Sequence, residues 1–153
     1  MVMEYRMVEL TKDYLASRLD EFIDMCHNNI PDEYWQAEHF LSDLKNKWRL
    51  SSLLLGQEEQ LIGFLIASEK ETSVHIHKFV IDKSFQGEGL GRRLLGELET
   101  KAHKSLTLKV ALANVSAVSF YLKNGFEISG QQDEMYLMNK KYDESINRRN
   151  SSA

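Results

Sequence analysis

Apolar and polar residues alternate along EYRMVEL, residues 4–10, as they do on a half-buried strand. Thr11 then stands where a helix cap belongs, and Tyr14, Leu15, Leu19, Phe22 and Ile23 recur behind it at helical spacing. Pro31 and Asp32 read as a second helix start, followed by the amphipathic run EYWQAEHFLSDLKNKW, which sets Trp35, Phe40 and Leu44 among charges. Trp35 and His39 in that run read as packing residues. Two apolar runs, RLSSLLLG and QLIGFLIASEK, flank GQEEQ and predict a β-hairpin. TSVHIHKFVID predicts a further strand that runs into a cluster of glycines. Beyond the cluster the pattern predicts a helix from Gly89 to Lys104, a strand over LTLKVALA, a short helix from Ser116 to Asn124, and strands near FEIS and EMYLMNK. The sum is an α/β chain, a mixed sheet with helices on its faces and neither repeat nor linker.

At 153 residues and 42% hydrophobic, the chain can bury one sizeable core and is too short for two, so residues 1–153 are expected to form a single domain. The polar end, YDESINRRNSSA, is expected to fray, making 141–153 a flexible tail. A net charge of -4 gives no basic footprint of the kind a dedicated nucleic-acid binder shows, and an acidic surface suits a cationic substrate. The N-terminus has no basic region followed by an apolar run, and no segment reaches the roughly 18 apolar residues that span a bilayer. The expectation is a cytoplasmic protein with neither a membrane nor a nucleic acid as partner. Cys26 is the only cysteine, which excludes an intrachain disulfide and a multi-cysteine zinc site. No metal is expected, and the thiol reads as a half-buried small hydrophobe.

Gly87, Gly89 and Gly91 fall within five positions of FQGEGLGRRLL, in a chain with 8 glycines in all. Glycine loses more conformational entropy on folding than any other residue, so the cluster marks backbone that bends sharply or lets something approach closely. Leu90, Leu94, Leu95 and Leu98 then form one apolar helix face. A loop feeding such a helix exposes the unpaired N–H groups and the positive end of the macrodipole, a ready site for phosphate. A P-loop would close on Gly-Lys-Ser/Thr, which is absent here. The dinucleotide fingerprint G-x-G-x-x-G/A also fails, because its last position is Arg92 counted from Gly87 and Leu94 counted from Gly89. The spacing that fits is Gln86-x-x-Gly89-x-Gly91.

That Q-x-x-G-x-G pattern resembles the pyrophosphate loop of the GNAT superfamily of acetyl-CoA-dependent N-acyltransferases. A second run, ANVSAVSFYLKNGFEI, resembles the family's other signature, N-x-x-A-x-x-x-Y-x-x-x-G-F, with Asn114, Ala117, Tyr121, Gly125 and Phe126 at its fixed positions. Both stand in the family's order and separation, and the elements from EYRMVEL to EMYLMNK span its fold. The resemblance implies a central, mostly antiparallel, splayed sheet of about six to seven strands flanked by about four helices. It implies acetyl-CoA as co-substrate, with Gln86 opening a loop in which Gly87, Glu88, Gly89, Leu90, Gly91 and Arg92 supply an anion site through backbone N–H groups. The pantetheine arm would lie along Phe79, Val80 and Ile81, where the sheet splays open. Asn114 would touch that arm from the next strand, and an asparagine ahead of VSAV equally suits a helix N-cap. Arg92, one turn into the helix, is the better of two arginines for phosphate; a solvated helix face accounts for Arg93. Tyr121 matches the family tyrosine near the cofactor sulfur, a donor to the departing thiolate, whereas a lone tyrosine defaults to core packing. A backbone N–H near Phe79–Ile81 would serve the oxyanion.

His75 and His77 are two apart on a predicted strand and therefore project from one face. An imidazole titrates near neutrality and can take a proton from an ammonium directly or through water. VHIHKFVIDKSFQGEGLG resembles, without a gap, the corresponding stretch of arylalkylamine N-acetyltransferases, which implies that His75 and His77 deprotonate the amine. No further likeness to that subfamily's substrate-binding segments is present. Two functions follow: an enzyme moving acetyl from acetyl-CoA to a primary amine of a small molecule, peptide or protein, or a non-catalytic acyl-CoA-binding module that regulates a partner. Retention of Tyr121 with the histidine pair favours the enzyme. CHNNIPDEYWQAEHF and SGQQDEMY would build the substrate face, where Asp32, Glu33, Glu38, Asp133 and Glu134 are candidates to attract a cationic amine. A homodimer is left open.

Overall fold

The computed structural model describes residues 4–30 and 35–145. Seven strands form one sheet: β1 (Arg6–Glu9), β2 (Ser52–Leu55), β3 (Leu61–Glu69), β4 (Ser73–Ile81), β5 (Ser105–Ala111), β6 (Glu127–Gln132) and β7 (Met135–Lys140). Their order across the sheet is β1-β2-β3-β4-β5-β7-β6, and every neighbouring pair is antiparallel except β4 and β5. The parallel pair needs a crossover, which helix α5 below provides. Among the described residues six α-helices accompany the sheet: α1 (Lys12–Ser17), α2 (Leu19–Asn29), α3 (Ala37–Leu41), α4 (Lys47–Leu50), α5 (Leu90–Ala102) and α6 (Val115–Lys123). The splayed, mostly antiparallel α/β architecture is the one expected, with two helices more than the pattern suggested.

Both extra helices come from breaks in predicted ones. The helix expected behind Thr11 does start there, the Thr11 hydroxyl accepting from the Tyr14 N–H, but it stops at Arg18 (φ -130°, ψ 28°) and restarts as α2. The amphipathic run after residue 35 does not continue as one helix either. Ser42 is extended after α3, and Asn46 takes the left-handed conformation (φ 56°) before α4. Lys47 explains the break. Its buried ammonium turns inward to donate to the carbonyls of Phe40 and Ser42, each at 2.7 Å, supplying donors to acceptors that a helix end leaves unpaired. Desolvation pulls its pKa down to about 8. The helix start expected at Pro31 and Asp32 lies outside the described residues.

Two apolar clusters sandwich the sheet. On one face α5 lays down Leu90, Leu94, Leu95 and Leu98 against Leu65, Ile76 and Val110. On the other, α1, α2 and α3 contribute Leu15, Phe22, Cys26 and Phe40 against Leu53, Phe64 and Val80. Cys26 is thus fully buried rather than half-buried. Residues 141–145 are exposed beyond β7, and the rest of the expected tail, 146–153, lies outside the described residues.

Candidate active site

Strand β4 organises the site, and two irregularities shape it. The first is a bulge. Ile66 pairs with Lys78 while Ala67 pairs with Ile76, so His77 is one residue too many for the ladder. Side chains alternate between faces along a strand, and the extra residue reverses that alternation. Ile76 belongs to the α5 cluster, whereas beyond the bulge Val80 belongs to the α1–α3 cluster while Phe79 and Ile81 pack with α5. The second irregularity is the splay. The β4–β5 ladder covers only Ser73–Ser105, Val74–Leu106 and His75–Thr107, after which the two strands part: β5 stays paired with β7 on its other edge, and β4 runs on alone on that side.

The gap so created is a groove of about 630 Å³, within the range of small-molecule sites. Its walls are the Phe79–Ile81 segment on one side and Asn114, Phe120 and Tyr121 on the other, with the glycine loop at its mouth. The three glycines differ in purpose. Gly87 (φ 87°) and Gly89 (φ 77°) hold left-handed backbone with open space around them, and Gly89 is the N-cap of α5. Gly91 has ordinary φ, but a Cβ there would meet the Phe120 ring at 3.2 Å, so its bareness lets α5 approach α6. Gln86 braces the loop, its side-chain amide donating to the Ile81 carbonyl at 2.8 Å.

Most residues expected at the cofactor site line this groove: Phe79, Val80 and Ile81 on the strand, Gln86, Gly87, Gly89, Leu90, Gly91 and Arg92 in the loop and first turn, and Asn114 and Tyr121 opposite. Glu88 is the exception, its carboxylate turned out to accept from the Tyr5 hydroxyl at 3.1 Å. Asn114 is also the N-cap of α6, accepting from the Ala117 N–H at 3.2 Å, so both of its expected roles are compatible with its position. Tyr121 is buried, its ring 6.2 Å from Phe79 and 5.4 Å from Phe126.

His75 and His77 do share a face, as expected, with ring centroids 5.0 Å apart. They lie on the α1–α3 side and do not line the groove. His75 Nδ1 shares a 2.8 Å hydrogen bond with the Thr107 hydroxyl, and His77 Nε2 shares one of 2.7 Å with the Ser68 hydroxyl. Each ring therefore keeps one nitrogen outside these bonds' reach: Nε2 of His75 and Nδ1 of His77. Burial lowers both pKa values, helped for His75 by Lys70 and Lys109; His77 falls to about 4, with His75 and nearby lysines adding to the effect of burial. Both shifts favour the neutral imidazole over the cation, relative to a free ring.

Sequence reasoning did not single out Phe85 and Phe120, which wall the groove; Asn29 and Ile30, within the run expected at the substrate face, also reach it from the end of α2. Asn29 is tied in through its side-chain oxygen, which accepts from the Lys83 N–H at 2.9 Å. Trp35 packs against the α1–α3 cluster as expected, its ring 5.1 Å from Phe40, and it also lies 6.0 Å from His77, stacks on His39 at 6.1 Å, and has the Lys78 ammonium 5.4 Å from its centroid. Glu38, Asp133 and Glu134 are exposed, and Asp32 and Glu33 lie outside the described residues.

Comparison with known proteins agrees with this geometry. Residues 8–126 match the acetyltransferase (GNAT) family. Peptidyl-lysine N-acetyltransferase YjaB of Salmonella typhimurium is 30% identical over 112 residues, covering 72% of this chain and 73% of that protein. The spermine/spermidine N(1)-acetyltransferase of Bacillus subtilis is 28% identical over 61% of this chain and 70% of its own. The PaiA N-acetyltransferase of Thermoplasma acidophilum, whose crystal structure contains coenzyme A, superposes with a TM-score of 0.70 at 20% identity, over 93% of this chain and all of the other.

Proposed function

This chain belongs to the GNAT acetyltransferase family, and from that premise we propose that it acts as a single cytoplasmic domain, transferring the acetyl group of acetyl-CoA to a primary amine by direct attack with both substrates bound. The observation that carries this reading is the coincidence of the β4–β5 splay with a glycine-shaped helix N-terminus at one end of the same groove. The loop N–H groups from Gly87 to Arg92 hold the pyrophosphate, assisted by the Arg92 guanidinium. The strand segment Phe79–Ile81 pairs with the amides of the pantetheine arm, satisfying backbone groups that the splay leaves without a ladder partner. One of its N–H groups faces the thioester oxygen as charge builds there. Tyr121 donates its hydroxyl proton to the departing sulfur. The amine arrives from the α1–α3 side, where His75 and His77, shifted toward the neutral form, accept its proton directly or through water.

The His-x-His pair resembles that of arylalkylamine N-acetyltransferases, and we read it as a proton-handling device rather than as evidence for an aromatic acceptor. Relatives act, by name, on a peptidyl lysine or on polyamines. A purely regulatory acyl-CoA-binding module needs neither Tyr121 in the groove wall nor two hydroxyl-anchored imidazoles on the opposite face of the same strand. The test is CoA release measured across a panel of amines and peptides, in the wild type and in Tyr121→Phe. We expect kcat to fall about 100-fold in the variant, with acetyl-CoA affinity within a factor of about two. Unchanged turnover would return Tyr121 to the core.

A further inference from the structure

His75 belongs to a row of side chains that crosses the sheet. Ladder pairing sets Ser68, His75, Thr107, Asn139 and Glu127 side by side on β3, β4, β5, β7 and β6. Cross-strand partners share a face, and the His75–Thr107 hydrogen bond shows which face it is. Lys109, two residues beyond Thr107 on β5, returns to the same side. On that side the α1–α3 cluster takes strand residues from β2, β3 and β4 and none from β5, β6 or β7. Lys109 is consequently exposed, and Thr107 and Asn139 are half-exposed. The result is an open shelf of sheet beside the two imidazoles, on the side from which the amine arrives.

The shelf is cationic where it meets the imidazoles. The charges that weigh on His75 are Lys70 and Lys109, and those on His77 include Lys70, Lys47 and Lys78. The Lys78 ammonium sits 5.4 Å from the Trp35 ring centroid, and that ring is 6.0 Å from His77. Lys47 is committed to the carbonyls that end α3, whereas Lys109 stands in solvent. Glu127 closes the row on the opposite edge, three strand spacings from His75. That is roughly 14 Å from His75 and, at two strand spacings across and two residues along, roughly 12 Å from Lys109, both beyond the Debye length of about 8 Å at physiological salt. A polyamine docked on this shelf would bring its second ammonium up against lysines.

Resting on the acetyl-transfer function proposed above, we propose that the acceptor is an amine that itself carries a carboxylate, laid across the β5–β7 shelf with Lys109 as its counter-charge. Attraction between unit charges a few ångströms apart near a protein surface is large enough to select among substrates. The amine reaches His75 and His77 while its acid group stays on β5. A small amino acid and an acidic peptide present the same chemistry, and the assay separates them.

The experiment compares kcat/KM for γ-aminobutyrate against butylamine and putrescine, and for an N-terminal glutamyl peptide against its glutaminyl counterpart, in wild type, Lys109→Gln and Lys109→Glu. In the wild type the acid-bearing member of at least one pair should be preferred roughly tenfold, less at high salt. The pair that shows the effect identifies the source. Lys109→Gln should erase the preference and Lys109→Glu reverse it, with acetyl-CoA affinity by calorimetry unchanged. A wild type that prefers putrescine or neutral amines, or a preference indifferent to Lys109, overturns this proposal and leaves acetyl transfer standing. Absence of CoA release with every amine, in protein that binds acetyl-CoA, overturns both.

Discussion

Strand β4 serves two regions built on opposite principles. Toward its C-terminal end the groove is made largely of backbone: the Phe79–Ile81 segment, the left-handed Gly87 and Gly89, and the first turn of α5. On its other face the surface is made of side chains, His75, His77 and Lys78, set by the bulge at His77 and by a specific neighbour each: Thr107, Ser68 and Trp35. A site made of backbone must solve a conformational problem, and only certain residues at fixed spacings solve it. A site made of side chains depends on what packs around them, which one stretch of sequence does not record. The first is therefore intolerant of substitution at a few positions, and the second is tunable.

The largest effect should come from breaking the backbone region. Gly89→Asp places a carboxylate at the helix N-cap, in open space, so the fold has room for it. Aspartate tolerates left-handed backbone better than most residues. The cost falls on the ligand: like charges about 4 Å apart at an effective dielectric near 20 oppose binding by about 4 kcal/mol. Calorimetry should show acetyl-CoA affinity reduced about 1000-fold, with the melting temperature within a few degrees of wild type. Unchanged affinity would remove the anion site from this loop.

The side-chain region should respond more gradually. Changing either His75 or His77 to Gln should leave partial activity, because the other ring or an ordered water still carries the proton; changing both should cost about 100-fold or more in kcat/KM with acetyl-CoA affinity intact. Burial alters the pH signature from that of a free imidazole. With His77 near 4 and His75 also depressed, the enzyme's own acidic limb, after correction for ionisation of the substrate amine, should lie below that of a free imidazole. The same shift bears on stability. The unfolded chain binds a proton at about pH 6.5 and the folded one only near pH 4, so stability is present above 6.5 and drains away as pH falls toward 4. His77→Gln should flatten that acid loss by about 1–2 kcal/mol, allowing for partial solvent screening. A limb that stays near pH 7 would mean the rings are better solvated than their burial implies.

This contrast also explains what could be read from the chain beforehand. The Gln86-x-x-Gly89-x-Gly91 spacing and the Asn114–Phe126 run were legible because left-handed glycines, an N-cap and a helix packed on its neighbour impose local rules. The strands were legible through alternation, and Thr11 through its capping chemistry. The histidine pair's shared face was legible too. The bulge at His77 was not, since register is settled between strands. Nor was the inward turn of Lys47, which ends α3 early through hydrogen bonds to carbonyls several residues back. Nor does net charge record which charges act on the rings; those that lower their pKa values alongside burial include Lys70, Lys109, Lys47 and Lys78.

The smallest effect separates two glycines within α5. Alanine at Gly96 meets nothing within 4 Å, so the gain in helix propensity should appear undiminished, about 0.5–1 kcal/mol, or about 2 °C in melting temperature. Alanine at Gly91 gains the same propensity but meets Phe120 at 3.2 Å. That ring has little room to retreat, with Phe79 centred 5.7 Å and Tyr121 5.5 Å away. Overpacking of this kind costs about 1–3 kcal/mol, so Gly91→Ala should lower the melting temperature by about 2–4 °C. Because Phe120 walls the groove, its displacement should also weaken acetyl-CoA binding several-fold, while Gly96→Ala leaves binding alone. If both alanines stabilise equally, Phe120 yields easily, and the third glycine is there for the ligand's approach instead of the packing of α5 on α6.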